Sequence, residues 1–223
     1  MTRTLALLHT TPVTVTGLKD LAAEHVPHTR IINLMDDSLL ADVMAAGAVT
    51  PEVEARMKAY IAQAEQAGAD AVLCCCSSVG EVIERARPGS RIPVLRIDEP
   101  MAEEAVRAGS RIGVIATVGT TLAPTANLIR RKAQEAGKSV SVEAVKVDGA
   151  FQALTSGRTE EHDTLVMHTL EALIQRSDVI VLAQASLARV VSRLNPPPAV
   201  PILSSPVSGL KAAAHVVAAK AKE

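Results

Sequence analysis

Short apolar runs of strand length alternate along this chain with longer stretches in which apolar residues recur every three or four positions. Arg3–Leu8 reads as a first strand, Val15–Val26 as a helix and Thr29–Leu34 as a second strand. A short helix over Asp36–Ala46 follows. Thr50-Pro51-Glu52 is a helix start, with Thr as N-cap, Pro at the first position and acid in the first turn, and this helix runs to about Ala67 before Gly68. The apolar run after Asp70 carries a strand up to Cys76, with a helix to about Ala86 and a break at Pro88-Gly89. Ile92–Ile97 is the next strand and Glu99–Ala108 the next helix. A second series starts at Arg111: strand Ile112–Ala116, helix Leu122–Ala136, strand Val140–Val147, helix Thr159–Gln175, strand Val179–Ala183 and helix Ser186–Leu194. A rigid Pro196-Pro197-Pro198 loop, a short strand Pro201–Leu203 and an Ala-rich helix to Glu223 close it. Alternating β and α units at this spacing predict an α/β protein with mostly parallel sheets.

The two series resemble each other. Asp70-Ala71-Val72-Leu73 matches Asp178-Val179-Ile180-Val181, and Pro93-Val94-Leu95 matches Pro201-Ile202-Leu203, both 108 positions apart. Leu5-Ala6-Leu7-Leu8 matches Ile112-Gly113-Val114-Ile115 at a separation of 107. The repeat predicts two related lobes, one of residues 1–98 plus a returning C-terminal helix at 207–223, the other of residues 99–206. In this register Cys76 corresponds to Gln184, Ser78 to Ser186, and Thr10 roughly to Thr117. Ligands of open α/β sheets bind at the carboxyl ends of the strands. With the lobes facing each other, those ends are expected to form one shared cleft.

Composition narrows the function. Of 223 residues 48% are hydrophobic, and the formal net charge is −1 with both signs mixed along the chain, which is no nucleic-acid footprint. The only aromatic residues are Phe151 and Tyr60, so base stacking has little to work with and the core must be Ala, Val, Leu and Ile. All three cysteines are consecutive, which rules out a disulfide framework and any C-x-x-C pair. His162 and His168 lie six apart on one helix, and His25 and His28 straddle Pro27, so neither pair suggests a metal. The chain lacks both a G-x-x-x-x-G-K-[ST] loop and a strand-linked G-x-G-x-x-G, which sets a flavodoxin-like nucleotide binder aside. Met1–Leu8 is no convincing signal peptide, since His9-Thr10-Thr11-Pro12 interrupts it, and no apolar run reaches membrane-helix length. The expectation is a reduced, cytoplasmic protein with neither nucleic-acid nor membrane partner; small two-lobed proteins often associate, so a homo-oligomer is expected.

The candidate chemistry centres on Asp70–Gly80, where a strand ends in a thiol, two hydroxyls and a glycine before a helix begins. Cys76 would sit beside the first free N–H groups of that helix, which favour anions and lower a thiol's pKa. The plain alternative is a buried small hydrophobe, the reading that suits Cys74 and Cys75 inside the strand. Ser77 and Ser78 are helix caps, ligand contacts, or both. Thr117, Thr120 and Thr121 form a hydroxyl-rich turn in the second series, and His9 and Thr10 occupy the matching turn of the first. His9 is either a structural side chain or a titrating one. Arg96 and Asp98 either line the cleft or pair in solvent.

The Cys76-Ser77-Ser78 turn, the Ile115–Thr121 turn, the Gln184-Ala185-Ser186 turn and the order of the lobes together resemble the aspartate/glutamate racemase superfamily, which includes glutamate, aspartate and hydantoin racemases, maleate isomerase and arylmalonate decarboxylase. The resemblance covers nearly the whole chain. It implies two flavodoxin-like lobes, a cofactor-independent mechanism and a small carboxylate or related acyl substrate. It places Thr117, Gly119 and Thr120 near a substrate carboxylate, with His9, Thr10, Ser77, Ser78 and Ser186 as further binding residues. Racemases of this group use two cysteines on opposite faces of the α-carbon. Cys76 matches the first, and Gln184 stands at the second, where it has no titratable proton but has an amide that can hydrogen-bond a developing enolate oxygen. The expected function is therefore an isomerase or racemase working through the Cys76 thiolate. Two alternatives stand beside it: a single-cysteine decarboxylase that protonates from one side, and a non-catalytic carboxylate-binding protein.

Overall fold

A computed structural model describes residues 2–191, 193–195 and 197–219. Ser192 in the expected helix Ser186–Leu194, Pro196 of the proline loop and the last four residues of the expected final helix lie outside the described residues. The chain divides into two compact units, Met1–Glu99 with Pro206–Glu223, and Pro100–Ser205.

The first unit is built on strands β1 (Arg3–His9), β2 (Thr29–Met35), β3 (Ala71–Cys74) and β4 (Val94–Arg96) in the order β2-β1-β3-β4, all parallel. Helices α1 (Pro12–His25), α2 (Ser38–Ala46), α3 (Pro51–Gln66), α4 (Gly80–Ala86) and most of α10 (Ser205–Ala219) accompany it. Side chains on β3 alternate between two cores. Val72 and Cys74 join Leu39, Met57 and Ile83 from α2, α3 and α4, while Ala71, Leu73 and Cys75 join Leu18 from α1 and Leu210 from α10. A strand covered on both faces has no polar side to show, which is why Ala71–Cys75 is an unbroken apolar run. Each such buried Leu, Ile or Val contributes roughly 1.5–3 kcal/mol of transfer free energy.

The second unit repeats the plan with β5 (Arg111–Ala116), β6 (Ser141–Lys146), β7 (Val179–Leu182) and β8 (Ile202–Ser204) in the order β6-β5-β7-β8, again all parallel. Helices α5 (Glu99–Ala108) and α6 (Gly119–Glu135) supply one core, and α7 (Ala150–Thr155), α8 (Thr159–Ile174) and α9 (Ala188–Val191) the other. Even the strand register repeats. Val72 pairs Val94 as Ile180 pairs Ile202, with 108 positions between equivalents. An aspartate clamp opens the third strand of each sheet. Asp70 accepts from the Thr4 N–H at 2.8 Å and from Arg3, and Asp178 accepts from the Arg111 N–H at 2.8 Å and from its guanidinium.

Several boundaries differ from the sequence reading. Helix α1 starts at Pro12 rather than Val15, because Thr11 caps it, accepting from the Val13 N–H, and Pro12 fills the first turn. The expected helix Ser186–Leu194 is a 3₁₀ turn, Ala185–Leu187, followed by the four-residue α9. Helix α7 was not foreseen. Its six residues begin after Gly149, which adopts a left-handed backbone at φ 78°, and are too few to show a period. No helix among the described residues is long and apolar enough to cross a membrane.

Candidate active site

Parallel strands bring their carboxyl ends to one edge of each sheet, and most of the singled-out residues follow those ends. In the first unit β3 stops at Cys74; the Cys75 N–H still bonds the Leu8 carbonyl at 2.9 Å. Cys76 is the residue at which the chain leaves the ladder. It is half-buried, whereas Cys74 and Cys75 are buried in opposite cores. Ser77–Val79 then form a 3₁₀ turn, not the first turn of a regular helix, and α4 has only seven residues. The N–H groups that face Cys76 therefore belong to a 3₁₀ turn rather than to the first turn of a regular α-helix.

Electrostatics at Cys76 balance the other way from the sequence expectation. Burial pushes its thiol pKa up, and this outweighs the Thr10 hydroxyl, the N–H groups of Ser78 and Val79 and the Ser78 hydroxyl, all of which favour the thiolate. Thr10 Oγ1 is buried and makes no hydrogen bond of regular geometry. The expected lowering of the Cys76 pKa is thus corrected to a rise: apolar packing against the α2–α3–α4 core costs the thiolate more than four donors return. Alkylation of Cys76 by iodoacetamide should accordingly be slow at pH 7 and accelerate only above the ordinary thiol value of 9.0, followed by mass spectrometry of the Cys76 peptide. Half-maximal alkylation below pH 8 would contradict this balance.

Beneath the Cys76 turn lies a buried ion cluster. Arg96, at the end of β4, grips Asp98 with two parallel bonds of 2.9 and 2.8 Å and reaches Glu84 on α4 with its remaining nitrogen. Both Arg96 and Asp98 are buried, so they neither line an open surface nor pair in solvent. Gly80 is what admits the arginine: a Cβ there would stand 2.3 Å from Arg96 Cζ. The cluster thereby fixes where α4, and the turn before it, can lie.

The second unit assembles its edge around Gln184. Its side-chain oxygen accepts from the Thr117 N–H at 2.6 Å, the Thr117 hydroxyl at 3.1 Å and the Val118 N–H at 3.2 Å. Three donors aimed at one atom identify that atom as the amide oxygen, since nitrogen has no lone pair to offer. Thr117 is therefore engaged within the protein rather than open to a carboxylate. Thr121 bonds the Val118 carbonyl at 2.8 Å in the first turn of the 17-residue α6. Gly119 is exposed, and Thr120 and Ser186 are half-buried.

His9 departs from its expected binding role. It is fully buried, with Nδ1 2.9 Å from Thr14 Oγ1 and Nε2 3.0 Å from Asn33 Oδ1. Burial lowers its pKa, only partly offset by Asn33, so the ring is neutral at pH 7 and ties β1 to β2 and α1. Two networks at these edges escaped the sequence reading. Asp36, just past β2, accepts from Ser38, Tyr60 and Arg56. Asp163, on α8, gathers His162, Arg189 and Arg193, and so holds the segment after Gln184. Their only sequence signal is a charge following a strand or entering a helix, which surface residues share.

Both carboxylates carry a pH consequence. Burial opposes the ionisation of Asp36, but Ser38, Tyr60 and Arg56 outweigh it and hold the pKa at about 2; burial likewise opposes that of Asp163, and Arg189, His162 and Arg193 bring it to about 2. A carboxyl with a depressed folded pKa stabilises the fold above its unfolded value and loses that contribution as pH falls through the folded one. Stability should therefore drop between about pH 4 and pH 2, by roughly 1 kcal/mol for each group after solvent screening of the partly exposed arginines. Urea titrations followed by far-UV circular dichroism test this, and Asp163→Asn should flatten its share of the slope.

Among the described residues no group of three His, Cys, Asp or Glu is placed to hold a metal ion. The model of the Asp/Glu/Hydantoin racemase family matches residues 9–213, and the chain belongs to that family. Comparison with curated proteins by sequence finds no match. Among solved structures, a glutamate racemase from Bacillus anthracis is similar at a TM-score of 0.75 and 17% identity, covering 98% of this chain and 82% of that one. An aspartate racemase from Picrophilus torridus gives a TM-score of 0.71 at 11% identity, over 96% and 94% of the two chains. Arylmalonate decarboxylase gives 0.62 at 14%, over 96% and 92%. At these identities the likeness is one of fold.

Proposed function

We propose that this protein is a cofactor-independent enzyme that moves a proton at the carbon α to a carboxylate, using the single thiol of Cys76. The observation that carries the reading is the state of that thiol: half-buried at a strand end, kept protonated at neutral pH by burial, yet surrounded by donors that receive the thiolate once the proton has gone. Such a group is a general acid that can be regenerated. Thr10, Ser77 and Ser78 are the substrate-binding groups nearest it in sequence and fold; in the second unit Gly119, Thr120 and Ser186 take that role.

Gln184 gives the reading its direction. Two-thiol racemisation needs a second acid at this position, and a carboxamide whose oxygen is already held by three donors supplies none. Delivery from one face then favours decarboxylation or another reaction ending in one-sided protonation. A second reading, in which the thiolate adds to a double bond as in an isomerase, draws support from the four groups that favour the charged sulfur.

The test is proton NMR in D2O of wild type and Cys76→Ala against 2-methyl-2-phenylmalonate, maleate, hydantoins and chiral amino acids, with chiral-phase chromatography of any product. Solvent deuterium appearing at the α-carbon, or new product, with wild type alone is the expected result. A single product enantiomer supports one-sided protonation, a racemate overturns it, and turnover by Cys76→Ala overturns the role of the thiol.

A further inference from the structure

We propose that Thr10 is a positioning residue for the Cys76 sulfur: its hydroxyl is held in reserve for the thiolate and turns its hydrogen onto the sulfur once the proton has left. The inference rests on the proposed use of the Cys76 thiol and concerns the first unit alone. Strand register places the two side chains together. β1 and β3 run parallel with Leu8 opposite Cys74, and beyond that last pair the Cys75 N–H still bonds the Leu8 carbonyl at 2.9 Å. Side chains on one face of a strand recur every second residue. Ala6 and Leu8 of β1 share one core with Val72 and Cys74 of β3, and Cys76 packs against that core. Two residues past Leu8 is Thr10, and two past Cys74 is Cys76. Cys76 keeps an extended backbone at φ −135° and ψ 117°, so the alternation carries through to the sulfur.

The state of the hydroxyl gives this pairing its meaning. Thr10 is 1% exposed, and its Oγ1 has no regular hydrogen-bond partner among the described residues. A buried hydroxyl without a partner costs stability, whereas a valine of the same shape leaves nothing unsatisfied. The hydroxyl is nonetheless among the groups that favour the charged sulfur. A protonated thiol is a weak acceptor, and a thiolate is a strong one. In turnover the S–H proton passes to the substrate carbon and its electron pair stays on sulfur. The Thr10 O–H then donates to that charge without losing its own proton, and it is released when a solvent proton returns to the sulfur. A hydroxyl has one hydrogen and two lone pairs. With that hydrogen turned to sulfur, Thr10 offers a ligand acceptor sites alone, which suit an N–H or O–H of the substrate and not a carboxylate oxygen.

Three substitutions separate the hydroxyl from its packing. Thr10→Val keeps the shape and removes the hydroxyl, Thr10→Ala removes the hydroxyl without the branch, and Thr10→Ser keeps the hydroxyl. Iodoacetamide alkylation of each, and of wild type, is followed from about pH 7 to about pH 11, across the ordinary thiol value of 9.0. Fragment-ion mass spectrometry assigns the label to Cys76, and thermal melts run alongside. The expected result is a Cys76 profile moved up by about one pH unit in Thr10→Val and Thr10→Ala, the size of one hydrogen bond to a charged group, with Thr10→Ser staying at wild type. The Thr10→Val melt is expected at or above the wild-type temperature, since an unsatisfied group has gone. Profiles of both hydroxyl-free variants that coincide with wild type, or that fall equally at every pH, overturn the inference and leave the Cys76 reading standing. A Thr10→Ser profile that moves with the other two overturns it as well. Turnover surviving in Cys76→Ala in the NMR experiment overturns the Cys76 reading instead, and takes the use of Thr10 in the reaction with it even where the profile has moved.

Discussion

Cys76→Ser should lower turnover by about 10³-fold or more while leaving the melting curve where it is, since positioned acid–base groups typically contribute 10²–10⁴. Serine matches the thiol closely in size, and the Ser78 and Val79 N–H groups that face the sulfur find an oxygen instead. The chemistry changes far more than the packing. A hydroxyl is a much weaker acid than a thiol, so it neither surrenders its proton to an enolate-like carbon nor survives as a stable anion in a half-buried site. Product formation and far-UV circular dichroism melts of the same preparations decide the matter. Comparable rates in the serine variant would mean that Cys76 is a packing residue and that the proton comes from elsewhere.

Gly80→Ala should cost stability on a scale unusual for one methyl group, about 3 kcal/mol or more. The new Cβ would meet the Arg96 guanidinium at 2.3–2.5 Å. An arginine tip normally yields to such a clash. This one is held on both sides, by Asp98 through two bonds and by Glu84 through a third, and Asp98 is buried. Moving the guanidinium strands a carboxylate away from water, the expensive half of breaking a buried pair. Urea denaturation read by circular dichroism measures the loss. Because α4 and the Ser77–Val79 turn share this anchor, the variant should also alkylate at Cys76 with an altered pH profile. An alanine variant as stable as wild type would show that Arg96 can shift without stranding Asp98.

Much of the architecture was readable from sequence because it follows from period and punctuation. Asp70 and Asp178 mark equivalent strand starts, and the clamps they form explain why a charged residue precedes each apolar run. Double-sided burial explains why β3 and β7 are unbroken rather than alternating. Local signals failed where tertiary contacts decide. The stretch after Gln184 has helical spacing, yet among its described residues only the four of α9 are α-helical, with Arg189 and Arg193 held by the distant Asp163. At the site, the position of Cys76 after a strand was legible but its electrostatics were not. A helix-end field can be guessed from sequence; the opposing burial comes from side chains on α2, α3 and α4 that pack only in three dimensions. His9 is the same lesson in reverse, since Thr14 and Asn33 claim both its nitrogens. The grip of Gln184 on Thr117 joins residues 67 positions apart, with no local trace.

The two units are unequal in one respect that bears on synthesis. The second, Pro100–Ser205, is continuous in sequence, whereas the first is closed by Pro206–Glu223. Leu210, Ala213 and Val217 complete the core that Leu5, Leu7, Ala71 and Leu73 begin. On the ribosome the first unit is the earlier to emerge and the later to finish: one face of its sheet is packed by α1 alone until α10 arrives. The second unit draws its last core residues, Ile202 and Leu203, from the strand directly before α10, so its core is in hand just before that. The nascent chain therefore carries a sticky, half-covered sheet for the time taken to translate about a hundred residues, at roughly 5–20 residues per second, which makes the last helix a quality checkpoint for the whole molecule.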